Sequence, residues 1–245
     1  MFFFRKKEVV VDCFTSDPHV YEHAQVSRAK NFLPDWWRNL PTPDKNEFAP
    51  KTNMRHCAGF TDYYKHSFIL PLWSELDLEI GAKGTEYYRW QYADRKSNIE
   101  IHSPEQWGDF FSNLDFLHLK LLSPWRLQSG KHINFLWSEP TWNTLHSGIR
   151  VLPATLDFYY QHDTNINILV ERSVDTRVVK LNFNLPLAQL TPITENSVSL
   201  KHHLISKSEY SRMDIPTFFF TAEYKKSKTL IDAKKNKRKC PFRKA

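Results

Sequence analysis

The chain has 245 residues, 41% of them hydrophobic and 15% aromatic, which is enough material for one large domain with a substantial core. No apolar run approaches the roughly 18 residues of a membrane-spanning helix, and three widely spaced cysteines argue against a disulfide framework or a zinc knuckle. The formal net charge of +7 comes from residues 225–245, which carry ten Lys or Arg and one acid; the other 224 residues carry −2, the difference between +7 and +9. We therefore expect a soluble, intracellular protein with a basic tail.

The first third of the chain is predicted to contain a strand, short helices and a Pro-rich loop. Residues 9–15 (VVVDCFT) are rich in β-branched side chains and form the first predicted strand. Residues 27–43 combine a short helix with a Pro-rich loop, and Trp36 and Trp37 between them are interpreted as a hydrophobic knob. Residues 57–73 are predicted to begin as a helix and to end as an apolar strand.

From residue 77 onwards the predicted elements are mostly strands. Alternation with a period of two, or clustered aromatic and β-branched residues, predicts them at 77–80, 86–93, 116–122, 132–137, 165–171 and 177–183. Two short helices interrupt or follow the series, one at 103–111 with Ser103 as its N-cap and one at 206–213. Many short strands with few small helices predict a mainly β fold, a β-sandwich or a clip-like barrel.

This series divides the chain into three predicted segments. Residues 1–75 are an N-terminal extension packed on the core, residues 76–224 are the β-rich core, and residues 225–245 are the basic tail. Within the core, alternating aromatic residues are predicted to supply core contacts and one covered face rather than a base-stacking platform, because they lie outside any basic stretch: Tyr87, Tyr88, Trp90 and Tyr92.

Several motifs of common enzymes are absent from the sequence. There is no P-loop, no GxGxxG, no HExxH and no GxSxG, and no His is followed two residues later by Asp or Glu. His202 and His203 lie in an alternating segment, where neighbours point to opposite faces, so the two cannot share one metal ion. We expect no cofactor, no metal and structural roles for the histidines.

The stretch LPATLDFYYQHDTNINILV (152–170) is typical of a strand, a polar and aromatic turn, and a second strand, which predicts a hairpin. Asp157 stands at its turn, and two interpretations are open. Its carboxylate caps backbone N–H groups, as Asx residues commonly do, or it belongs to a catalytic site.

The same stretch and LNFNLPLAQLTPI (181–193) resemble, in order and spacing, the third and fourth motifs of the trimeric dUTPase family. The resemblance covers residues 116–193 and implies a clip-like barrel. It places Asp157 where the family's Asp contacts the deoxyribose and helps to orient the attacking water, and Tyr160 where a ring packs under the sugar. Gln189 falls in the A-Q-L core of the later motif.

Other parts of the dUTPase pattern are missing. Asn184 stands where the family has Gly, and Asn tolerates the left-handed turn that this position needs. The phosphate motif should lie near 137–143 (WSEPTWN), where no Arg and an acid, Glu139, appear. The C-terminus is rich in Lys instead of Gly. A triphosphate needs cationic or N–H-rich walls, so we predict that the chain is not a competent dUTPase.

Over a longer span, residues 25–210, the chain also resembles uncharacterised proteins of tailed phages and marine viruses, which carry segments like FLPDWWRNLP and LKLLSPW in the same order. This resemblance implies a viral protein that works in the host cytoplasm during infection or in the virion. It names no activity.

Two functions remain as predictions. The first is a non-catalytic binding or virion-assembly module, forming a homo-oligomer, whose tail contacts nucleic acid or an acidic partner. The second is a diverged dUTPase-like enzyme that binds or hydrolyses a nucleotide with Mg²⁺, using Asp157, Tyr160 and Gln189. The binding residues of the first are the cations of the tail: Lys225, Lys226, Lys228, Lys234, Lys235, Lys237, Arg238, Lys239, Arg243 and Lys244.

Overall fold

A computed structural model describes residues 8–41, 53–108, 110, 112, 115–140, 142–143, 148–160, 163–213 and 228–233. Within these ranges the chain forms fifteen strands, while the longest of the α-helices has nine residues. The prediction of a mainly β fold is therefore confirmed.

The secondary structure follows the chain in short elements. The strands are β1 (Glu8–Thr15), β2 (Ser27–Arg28), β3 (Phe68–Pro71), β4 (Leu76–Ile80), β5 (Tyr88–Tyr92), β6 (Ile99–Ile101), β7 (Phe116–Leu121), β8 (Arg126–Ser129), β9 (Asn134–Ser138), β10 (Ile149–Val151), β11 (Ala154–Asp157), β12 (Ile166–Glu171), β13 (Arg177–Leu181), β14 (Pro186–Pro192) and β15 (Ser197–Leu204). The α-helices are α1 (Pro18–His23), α2 (Asp35–Arg38), α3 (Ala58–His66) and α4 (Lys207–Arg212). Short 3-10 turns lie at Ala29–Phe32, Met54–His56 and Pro104–Trp107, and residues 228–233 are helical.

The strands form four sheets around one main core. Their orders are β15-β1-β8, β10-β12-β7-β6, β11-β9-β14-β3-β2 and β13-β4-β5. The β1–β15 pair is parallel along eight residues, and the other pairs are antiparallel. β1 and β3, both from the first 75 residues, lie inside their sheets with a partner on each side.

The hairpin predicted at residues 152–170 is wrong. β11 pairs with β9, whereas β12 pairs with β7 and β10 in a different sheet, so the turn at 158–160 carries the chain from one sheet to the other. β12 buries Ile166, Ile168 and Val170 completely, while β11 is half-exposed and lies at a sheet edge. A half-exposed strand such as β11 belongs at the edge of a sheet, whereas a strand with a fully buried face such as β12 belongs in the interior. Alternation in the sequence predicts a strand but does not identify the strand with which it pairs.

Two other predictions are corrected by the structure. Tyr92 is buried, but Tyr88 and Trp90 are 39% and 37% exposed, so the covered aromatic face predicted for β5 is wrong. Ser103 precedes the 3-10 turn, yet its hydroxyl donates to the Glu105 carboxylate instead of capping a backbone N–H. β6, β8 and β10 were not predicted, because three or four residues are too few to establish a period.

A smaller aromatic cluster lies beside the main core. Phe60 and Tyr64 of α3 are buried in it, and Trp37 stacks on Phe60 with ring centroids 5.8 Å apart. Trp36 is 41% exposed and packs against Trp142 with the two rings tilted by 50°, so the pair at 36 and 37 forms the knob that the sequence indicates. In the described ranges, no helix has the length and apolar character needed to cross a membrane.

Candidate functional site

The Asp157 carboxylate closes the turn that follows β11. Asp157 lies opposite Asn134 of β9, and its Oδ1 accepts the Tyr159 N–H at 2.9 Å. The Tyr160 N–H donates to the Asp157 carbonyl at 3.0 Å. Asp157 thus caps this turn through one carboxylate oxygen.

The second oxygen of Asp157 is engaged by a histidine that the sequence did not indicate. His132 Nδ1 lies 2.9 Å from Asp157 Oδ2, and because an ionised carboxylate only accepts, Nδ1 carries the proton. The His132 ring packs against Tyr159 and Tyr160, with centroids 3.9 and 4.9 Å away. The Asp157 side chain is only 17% exposed, against 54% for His132. Pairing of β9 with β11 creates this contact between residues 25 positions apart.

The Tyr160 hydroxyl is shared between two acceptors. It lies 3.0 and 3.2 Å from the two carboxylate oxygens of Asp232, and 3.4 Å from His132 Nε2. Burial and the Asp232 carboxylate raise the pKa of Tyr160 to about 12, so the phenol is protonated at neutral pH. Its single proton goes to the nearer, charged acceptor, Asp232.

The contact with Asp232 brings part of the predicted basic tail to the turn. Residues 228–233, which we call the C-terminal anchor, are helical, and Lys228 Nζ lies 4.7 Å from the centre of the Tyr160 ring. The remaining predicted binding cations lie outside the described residues: Lys225, Lys226, Lys234, Lys235, Lys237, Arg238, Lys239, Arg243 and Lys244.

Gln189, the third candidate, is separate from this cluster. It is completely buried in β14, where its Nε2 donates to Ser67 Oγ at 2.8 Å. Gln189 pairs with Ser138, four positions along β9 from Asn134, which corresponds to about 13 Å at the rise of a strand. The structure brings Asp157 and Tyr160 together and leaves Gln189 in the core.

The turn predicted at Asn184 is confirmed. Asn184 adopts φ +63°, in the left-handed region, and its N–H donates to the Leu72 carbonyl at 2.8 Å. This turn connects β13 to β14. His202 and His203 likewise have separate partners, the Val26 carbonyl and the Asp12 carboxylate.

Metal ligands do not converge in the described part of the chain: no group of three or more His, Cys, Asp or Glu side chains is placed to hold an ion. The Cys13 thiol is completely buried, and burial raises its pKa, while Cys57 Sγ accepts the Phe60 N–H at the start of α3. Both thiols have structural positions.

No protein-family model matches the chain, and no curated protein matches it. Among solved structures, it is similar to a mutant dUTPase from phage phi11 of S. aureus, with 13% identity, coverage of 80% of this chain and 98% of that chain, and a TM-score of 0.29. It is also similar to the phage phi11 dUTPase, with 12% identity, coverage of 75% of this chain and 97% of that chain, and a TM-score of 0.28. A third similar structure is a mutant dUTPase of Staphylococcus bacteriophage 80alpha with dUpNHpp, with 9% identity, coverage of 80% of this chain and 97% of that chain, and a TM-score of 0.29. These neighbours belong to the family that the two sequence motifs resemble, but likeness at this level carries no argument about activity, ligand or assembly.

Proposed function

We propose that the chain is a non-catalytic nucleic-acid-binding module of phage type, in which a β-rich body holds a basic C-terminal segment at the Asp157 turn. The observation that carries this proposal is the hydrogen bond from Tyr160 to Asp232. It fixes the position at which the basic segment meets the body.

The charge pattern of the segment fits this arrangement. Asp232 is the only acid in residues 225–245, and it is the residue that accepts from the body. Seven of the ten cations follow residue 233 in the sequence. A cluster of Lys and Arg binds phosphates through counterion release, with an affinity that depends strongly on salt.

The state of Asp157 supports a non-catalytic role. Both of its carboxylate oxygens are engaged, one by the Tyr159 N–H and one by His132. These two donors hold the carboxylate in its turn-capping orientation. The Tyr160 hydroxyl is similarly engaged by Asp232.

The test is the affinity of the full chain for a labelled DNA duplex, measured by fluorescence anisotropy between about 50 and about 200 mM salt. With six or more phosphate contacts, we expect a loss of about 1,000-fold or more across this range. A chain ending at residue 224 should melt cooperatively and not bind. Binding that survives this truncation would contradict the proposal, because it would place the cationic surface on the body.

A second candidate function is nucleotide hydrolysis. It is favoured by the position of His132, whose ring lies between the Asp157 carboxylate and the Tyr160 hydroxyl. A carboxylate that orients an imidazole, with a hydroxyl at the other ring nitrogen, is a general-base arrangement. Incubation with nucleoside triphosphates as their Mg²⁺ complexes, with pyrophosphate and phosphate readout, should give no turnover. Release that disappears in Asp157→Asn but persists in Asp163→Asn would establish the enzyme instead.

Two expectations on assembly accompany the proposal. We expect a homo-oligomer, which light scattering of the purified chain would detect and a monomeric mass would contradict. Mass spectrometry of purified virions distinguishes a virion subunit, present in stoichiometric copy number, from a protein confined to the infected cytoplasm.

A further inference from the structure

A hollow of about 350 Å³ lies beside β5, the last strand of the sheet β13-β4-β5. We call it the β5 hollow; it is lined by Trp90, Gln91, Tyr92, Arg95, Ser97 and Asn98. Among the residues that the structure describes, β5 pairs only with β4, so its other edge presents alternate backbone N–H and C=O groups. The volume of the β5 hollow is at the lower end of the range for small-molecule sites.

Two exposed aromatic rings of β5, Trp90 and Tyr88, lie on the same face of the sheet as its buried core residues. Trp90 pairs directly with Leu78, and Tyr88 with Ile80, so each ring points to the same face as its buried partner. Leu78 and Ile80 are 1% exposed, whereas Trp90 and Tyr88 are more than a third exposed. The sheet therefore offers a flat aromatic surface at its edge.

Tyr92, one of the residues that line the hollow, has a buried side chain. Tyr92 is 4% exposed, and its hydroxyl forms no hydrogen bond with any of the described residues. Burial, with the nearby Asp94 carboxylate, raises the pKa of Tyr92, so the hydroxyl is a permanent neutral donor. A buried donor of this kind is stabilised by an acceptor supplied from a ligand.

The connection from β5 to β6 holds a cation beside the hollow. Arg95 is exposed and adopts φ +56°, a left-handed conformation that is unusual for Arg. The Asp94 carboxylate fixes this loop, because it accepts from the N–H groups of Lys96 and Ser97 and from the Ser97 hydroxyl. Strained backbone that is held by its surroundings is typical of ligand sites.

These groups match the chemistry of one nucleotide in a single strand. We propose that the β5 hollow binds a nucleobase of single-stranded nucleic acid, with the base stacked on Trp90, the Asn98 amide at its edge, and Arg95 facing the phosphate. Bases that are unpaired expose both their faces and their hydrogen-bonding edges, and proteins read them by stacking and amide contacts. A peptide adding to the edge of β5 would use the backbone groups but would leave Arg95 without an anion.

The inference names the ligand class of the proposed function but places it on different residues, so the two can fail separately. The probes are a labelled oligo(dT) of about 12 nucleotides and a duplex of the same length. We expect Trp90→Ala in the full chain to weaken binding of the single strand roughly 5- to 150-fold, the range for loss of one stacked base, and to leave the duplex unaffected. Trp36→Ala, at a similarly exposed tryptophan on another surface, is the control.

Tyr92→Phe provides the second variant, because it removes one oxygen without removing volume. Its melting temperature should be unchanged or higher, while single-strand affinity falls. Equal loss on both probes, or wild-type binding in both Trp90→Ala and Tyr92→Phe, would overturn the inference, as would competition by an unstructured peptide at the concentration of the oligonucleotide. Single-strand binding that depends on Trp90 but survives truncation at residue 224 would support the hollow and contradict the proposed role of the tail.

Discussion

Removing the Tyr160 hydroxyl should release the C-terminal anchor without unfolding the body. The hydroxyl donates to both oxygens of Asp232, at 3.0 and 3.2 Å, and hydrogen bonds to charged groups contribute about 1.5–3 kcal/mol when they are well buried. This one is partly solvated, so we expect about 1–1.5 kcal/mol. The Tyr160 ring also contacts Lys228, whose Nζ lies 4.7 Å from the ring centre, so Tyr160 provides two of the contacts between the anchor and the body.

Amide hydrogen exchange of the peptide covering residues 228–233 measures this local opening. A loss of about 1.4 kcal/mol corresponds to tenfold faster exchange, so Tyr160→Phe and Asp232→Asn should each accelerate it about 5- to 10-fold. The double variant should be no faster than either single one, because both remove the same bond. Tyr21→Phe, a partly buried tyrosine outside the site, serves as the control. Additive effects in the double variant, or unchanged exchange in Tyr160→Phe, would refute the reasoning.

Two further predictions concern the stability of the body. Burial, together with electrostatic repulsion from the adjacent His102, lowers the pKa of His118 to about 4, so the unfolded state binds this proton more tightly and stability should fall from about pH 6.5 towards pH 4. The His118 contribution is at most about 1.4 kcal/mol per pH unit, and thermal melts of His118→Gln should show a shallower acid loss than the wild type. Gly81→Ala should destabilise the chain by about 1–3 kcal/mol, because a Cβ there would lie 2.8 Å from the Tyr87 carbonyl, while Gly59→Ala, with nothing within 4 Å in α3, should be neutral or stabilising in the same melts.

Several of the strands that the sequence predicted have burial that alternates along the strand, whereas β3 and β5, which were also predicted, do not. β1 shows this pattern, with its buried residues at every second position, and β13 does so at Val179 and Leu181. The pairing of β11 with β9 could not be predicted, because a half-exposed edge strand carries no signal for its partner. The same limit applies to the exposed rings of β5, since alternation marks a face but does not say whether another layer covers it.

The candidate site was predicted in part. Asp157 and Tyr160 were proposed from the resemblance to the dUTPase motifs, and the capping geometry of Asp157 is local enough to follow from residue type. His132 lies 25 positions from Asp157 and reaches it only through strand pairing, so nothing in the sequence indicated it. Asp232 did carry a signal: a single acid within ten cations is the residue most suited to meet a donor on the body.

The central claim is that the body holds the anchor while the cations beyond it bind nucleic acid. A chain ending at residue 233 retains the C-terminal anchor and loses seven of the ten cations of the tail. The most direct measurement is its affinity for duplex DNA at about 100 mM salt, recorded with amide exchange of residues 228–233 in the same sample. We predict at least a 100-fold loss of affinity, as expected when several phosphate contacts are removed, with protection of the anchor retained. Full affinity in this shortened chain would contradict the account.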